Sequence, residues 1–237
     1  MKIILESAGH VPPPYSYKLI VDAEIHQNEL LIDVNWTFTE RDNLSAAEIL
    51  DEGFEPDGDF TRKGKLPLNW VQYLKSLPSD LQKSSKPALA GDVQVSIFND
   101  QGMLIPTIPE GWILFTQELF QASLELAQVE LPLTLQIHSH VNQVKSEGEL
   151  HVSFQQLEGK IHWKGNEQTE VLEWQKCQSL MALFFEGDET ADPVKKPQFE
   201  NSIAFSADNK HWLVYGKSYH HIENEWVGKV LGNLGLK

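Results

Sequence analysis

A chain of 237 residues, 41% hydrophobic, with seven tryptophans, eleven phenylalanines and five tyrosines, has the material for a full core and too many aromatics for extended disorder. Its 34 acidic residues against 19 basic ones give a formal net charge of −15, which repels a phosphate backbone and an anionic membrane surface. Arg62, Lys63 and Lys65 form the longest basic group, and Glu55, Asp57 and Asp59 just before them cancel it, so neither nucleic acid nor membrane is an expected partner.

The apolar run at residues 1–5 is too short for a signal peptide, and there is no run of about 20 apolar residues to span a bilayer. A single cysteine, Cys177, rules out an internal disulfide. Together these features lead us to expect a cytoplasmic protein. Cys177 stands between Trp174 and the pair Leu180 and Met181, the setting of a buried, inert thiol.

In chain order, the prolines at 12–14 favour an extended segment. Leu19, Val21, Ala23 and Ile25, then Leu30, Ile32, Val34, Trp36 and Phe38, alternate with polar residues as the strands of an antiparallel hairpin turning at Gln27 and Asn28. Ser45 with Glu48 fits a capping box, so a short helix starts there. The acidic residues at 51–59 lack the spacing of an EF-hand and read as a solvated loop. A second helix begins near Pro67, carries Trp70, Val71 and Leu74 on one face, and ends at Pro78. Residues 82–86 read as a connecting loop. Val93, Val95 and Ile97 return through 103–105 in another hairpin. Residues 116–129 fit a helix capped by Thr116 better than a strand.

A meander follows over 133–144, 149–157 and 160–164, then a strand at 171–174 and a continuous apolar run at 180–185 that reads as a strand covered on both faces. Polar residues and prolines at 188–198 make a loop. Residues 203–205 and 212–215 pair as a last hairpin, and Trp226, Val227, Val230, Leu231 and Leu234 recur at helical spacing near the C-terminus. The sum is an α+β fold, predominantly antiparallel hairpins and a meander, with three to four short helices including a C-terminal one. We expect one domain over 1–237, with 81–90 as the place where a subdivision would fall.

The meander holds the only clustering of versatile side chains: His138, His140, His151 and His162 all occupy the polar phase of their strands. His138 and His140, two residues apart, point the same way at a separation that a metal can bridge. A two-residue turn at Lys145 and Ser146 would set His140 opposite His151 and make a three-histidine group; a four-residue turn at 145–148, which suits Gly148, would set Asn142 opposite His151 instead. A turn at Glu158 and Gly159 would put His162 opposite Gln155. Gln136, Asn142, Ser153, Gln155, Lys160 and Lys164 share this face. The mixture suits a solvated sheet surface, or the lining of a polar cleft if a helix or loop covers it.

No Gly-x-Ser-x-Gly elbow occurs, and no acid pair stands out among the 34 acidic residues. The leading expectation is a non-enzymatic module that binds another protein or a small polar ligand, with His138, His140, His151, Gln136 and Ser153 as ligand-binding residues and no cofactor. Exposed tryptophans would anchor a protein partner. The alternative is a metal-dependent hydrolase or oxygenase in which His138, His140 and His151 hold a divalent ion.

Overall fold

The computed structural model describes residues 1–165, 169–195, 202–222 and 225–236. Sixteen strands, paired antiparallel and from two to ten residues long, and five α-helices form among these residues. Backbone contacts divide the chain into two compact units, Met1–Glu130 with Phe154–Gln156, and Leu131–Ser153 with Leu157–Lys237. Residues 81–90 lie inside the first unit.

The first unit is an antiparallel sheet with helices. It contains β1 (Lys2–Ser7), β2 (Tyr17–His26), β3 (Glu29–Phe38), α1 (Ala46–Asp51), β4 (Phe60–Leu66), α2 (Leu68–Ser76), β5 (Leu81–Lys83), β6 (Ala88–Ala90), β7 (Val93–Asn99), β8 (Gly102–Pro106) and α3 (Pro109–Leu126). The strands lie in the order β4-β3-β2-β1-β7-β8-β5, with β6 also paired to β7. The β2–β3 alternation holds along the middle of the hairpin, where Leu19, Val21 and Ala23 are buried beside Leu30, Ile32 and Val34, while Ile25 near the turn is exposed and Trp36 and Phe38 are half-buried. Ser45 Oγ accepts from Glu48 N while the Glu48 carboxylate accepts from Ser45 N, completing the capping box of α1.

Helix α3 starts seven residues before Thr116, because Pro109 suits a first turn whose N–H groups are unpaired anyway. Thr116 is interior and donates its hydroxyl to Trp112 O at 2.7 Å. Phe120 of α3 stacks on Trp36 with centroids 4.5 Å apart, which docks the helix on β3. Near the end of α3, the Glu125 carboxylate accepts from Phe154 N and Gln155 N at 3.0 and 2.9 Å, and Trp70 Nε1 donates to Phe154 O at 3.0 Å. β1, β4, β5 and β6 were not legible as strands; the last two are three-residue pieces with little alternation, and β5 takes residues 82 and 83 from the expected loop.

The second unit contains β9 (Leu133–Val141), β10 (Val144–Ser153), β11 (Glu158–Trp163), β12 (Thr169–Leu172), α4 (Trp174–Phe185), β13 (Asp188–Glu189), β14 (Ser202–Ser206), β15 (Leu213–Val214), β16 (Tyr219–His220) and α5 (Trp226–Asn233). Six strands form one sheet, β12-β11-β10-β9-β14-β15, and β13 pairs with β16. One sheet face presents Leu135, Ile137, Leu150, Val152 and Ile161 to Leu180 and Phe184 of α4 and to Trp226 and Val230 of α5. Each such fully buried side chain contributes about 1.5–3 kcal/mol of transfer free energy.

The run 180–185 is helical, not a strand. Cys177, Leu180, Leu183 and Phe184 fall on one buried stripe, but Met181, Ala182 and Phe185 fill the outer positions with apolar residues and hide the helical period. This helix, α4, brings the number among the described residues to five, and it takes Trp174 from the expected strand, which ends at Leu172. Its last turn leaves carbonyls without helical partners. Leu183 O accepts from Trp226 Nε1 at 2.7 Å and from Tyr219 Oη at 2.8 Å. No helix among the described residues is long and apolar enough to cross a membrane. The polar loop expected at 188–198 begins with β13, and 196–198 lie outside the described residues.

Candidate ligand cleft on the histidine face

The second unit's sheet turns its other face away from α4 and α5, and the register of β10 decides what meets there. Asn142 and Gln143 form the β9–β10 turn, with φ of 52° and 65°. A two-residue hairpin turn of this kind needs left-handed conformations, which asparagine tolerates. This is neither of the two turns the sequence suggests. Gly148 stays in the strand because the Trp163 ring lies over it, and an added Cβ would sit 2.5 Å from Trp163 Cε3.

The consequence is a set of ordered polar rows. His138 lies opposite Glu147, Gln136 opposite Glu149, Thr134 opposite His151, and His140 opposite Lys145. On the far side of β10, Glu149 faces His162 and His151 faces Lys160. His162 is therefore one row from His151, not opposite Gln155, because β10 and β11 join through 154–157 with Ser153 opposite Glu158.

Glu147 and Glu149 on the central strand are each held from both sides. Glu147 Oε1 accepts from His138 Nε2 at 3.2 Å, and Oε2 takes the Lys164 ammonium. Glu149 Oε1 accepts from His151 Nε2 at 2.5 Å, and Oε2 takes the Gln136 amide. A carboxylate only accepts, so His151 carries its proton on Nε2 and its Nδ1 accepts from Thr134 Oγ1 at 3.0 Å when the ring is neutral. The Lys164 hydrogen bond is the main cause holding Glu147 below the usual glutamate range. Glu149 is lowered first by the Gln136 amide and then by His151. Both glutamates stay ionised near neutrality, and neither is poised as a general acid.

A loop covers part of this face. Val194 and Trp212 form an antiparallel bridge, and Trp212 packs with Ala204, Val214 and Val194 in a small cluster of its own. The His138 ring meets Trp212 edge to face at 6.5 Å. Between cover and sheet lies a cleft of about 590 Å³ lined by Gln136, His138, Glu147, Glu149, Lys164, Lys195, Asn209 and Trp212, among others.

Of the sequence candidates, Gln136 and His138 line this cleft, whereas His140, His151 and Ser153 do not. His151 stands opposite Thr134, four residues from His138 along β9 and so about 13 Å away, which separates it from His138 and His140. No group of three His, Cys, Asp or Glu placed to hold a metal occurs among the described residues. Glu149 and Glu147 share the phase of His151 on β10, a signal the alternation carried once the turn is placed at 142–143. Lys195, Asn209 and Trp212 arrive from distant segments, and no local pattern announces them.

None of the seven tryptophans is exposed: Trp70, Trp112, Trp212 and Trp226 are buried, and Trp36, Trp163 and Trp174 half-buried. Cys177 is fully buried, which pushes its thiol up to about 11. Comparison with known protein families, with curated protein sequences and with solved structures gives no match to this chain.

Proposed function

We propose that the second unit binds a small polar molecule in the cleft beneath the Trp212 loop. One observation carries this reading: the Trp212 loop covers part of the polar face of β9–β10–β11, so Gln136, His138, Glu147, Glu149 and Lys164 line a half-open cleft instead of a flat surface. Binding sites combine a few fixed polar groups with an aromatic wall, and Trp212 is that wall. Because the cleft holds two carboxylates and two ammonium groups, it favours a ligand with both donors and acceptors over a simple ion.

The small-ligand reading is preferred over a protein-docking face because the tryptophans that would anchor a partner are withdrawn from the surface. It is preferred over a metal enzyme because His138, His140 and His151 do not converge.

Titration of the ¹⁵N-labelled chain with free amino acids, monosaccharides and nucleosides tests it. A saturable shift confined to Gln136, His138, Glu147 and the Trp212 indole, lost in His138→Ala, supports the proposal. If no probe class moves these signals, the reading fails.

A further inference from the structure

A second cavity, of about 380 Å³, lies in the same unit and shares no lining residue with the cleft. Its floor belongs to the core: Leu135, Phe184, Phe205 and Tyr219 line it and are each at most 2% exposed. Three of these are aromatic. Exposed residues form the rim, Phe185 after the helical stripe, Glu189 of β13, and Asp208 and His211 of the β14–β15 turn.

The rim chemistry is one-sided. Among the described residues no lysine or arginine lines the cavity, while two carboxylates do. Asp208 is fixed in place: Oδ1 accepts from Lys210 N and His211 N at 2.8 Å each and from Ser206 Oγ at 3.1 Å, and Oδ2 takes His211 Nδ1 at 2.5 Å. These donors, His211 N foremost, hold Asp208 well below the ordinary carboxylate range. The same hydrogen bonds orient the His211 imidazole, leaving Nε2 as its ring atom for a ligand. An apolar, aromatic floor under an ionised acidic rim complements a molecule with a hydrophobic body and a cationic head. The volume, at the small end of ligand sites, fits one ring with a short side chain. A net charge of −15 adds a long-range field that favours a cation and disfavours an anion of the same shape.

We infer that this cavity binds a small hydrophobic primary amine, its apolar body against Phe184 and Phe205 and its ammonium at the Glu189–Asp208 rim. The test uses the full chain, ¹⁵N-labelled, titrated with phenethylamine and separately with 3-phenylpropionate, which keeps the ring and reverses the charge. The amine should give saturable shifts at Phe205, Asp208 and Leu213 and bind about tenfold or more tighter than the carboxylate. Glu189→Gln, an exposed change that leaves the core intact, should weaken the amine roughly fivefold. Phe185→Ala, also on the rim, should weaken both probes. Equal or tighter binding of the carboxylate overturns the charge assignment and with it the proposal. So does an absence of saturable shifts at millimolar amine, or shifts that fall at Gln136 and His138 instead.

Discussion

His138 and Glu147 face one another across the β9–β10 ladder with Nε2 3.2 Å from Oε1, and the other oxygen of Glu147 is taken by Lys164. The glutamate joins side chains from both neighbouring segments into one row. The Glu147 side chain is 42% exposed, so water screens the pair and its energetic worth is that of a surface ion pair. A double-mutant cycle with His138→Ala and Glu147→Gln should therefore return a coupling of about 0.2–1 kcal/mol by urea denaturation. Binding of any ligand found for the cleft should fall much more than stability does. A coupling of several kcal/mol would mean the row serves the fold and not the cleft.

Acid should dissolve this network in a defined direction. Glu147 and Glu149 are held below the ordinary glutamate value, so the stability they contribute is complete above about pH 4.3 and is lost as the pH falls through their lower folded-state values. Asp208, lowered more strongly, contributes in the same sense and loses its contribution at still lower pH. Carboxyl ¹³C titrations should place both glutamates below the ordinary value, and Gln136→Ala should move Glu149 upward while leaving Glu147 in place. Midpoints at or above the ordinary value would show that the rows do not form in solution.

How far the sequence carried the description differs from element to element. The β2–β3 hairpin and the α1 capping box were readable because alternation and capping are local. The four histidines shared a phase for the same reason. What the sequence did not carry was register, since Gly148 looks like a turn residue until Trp163 is known to cover it. Placing the turn three residues earlier, at 142–143 and not 145–146, exchanged a three-histidine group for rows of acid, amide and imidazole. The α4 helix escaped because its outward positions are apolar, and the Trp212 roof escaped because it depends on a bridge between residues eighteen positions apart in sequence.

The β9–β10 turn offers a direct test of that register. Gln143 has φ of 65°, a conformation that costs a residue with a Cβ about 1–2 kcal/mol and glycine nothing. Glycine gives back part of this through the greater freedom of its unfolded chain, about 0.5–1 kcal/mol. Gln143→Gly should therefore stabilise the unit by about 0.5–1 kcal/mol, since it creates the Asn-Gly pair that such turns favour. Moving the glycine to Ser146 should give no gain, because Ser146 pairs with Ser139 inside the ladder. Thermal unfolding of the two variants separates this turn from one at 145–146.

α4 lies close against the sheet at Gly159, where an added Cβ would fall 2.3 Å from Cys177 Sγ and 3.4 Å from Leu172 Cβ. Cys177 has no exposed surface and sits on the buried stripe of α4, so the sulfur cannot swing out of the way. Gly159→Ala should destabilise the chain by about 1–3 kcal/mol, the usual cost of overpacking a dense core. Cys177→Ala removes the clashing atom, so the double variant should recover most of the loss relative to Cys177→Ala alone. Cys177→Ser, which keeps an atom at that position, should not. Burial holds the thiol near 11, which makes it inert to alkylation in the folded chain, so faster labelling in Gly159→Ala would report directly on α4 lifting from β11. Unchanged labelling together with unchanged stability would show that α4 packs farther from β11 than this contact implies.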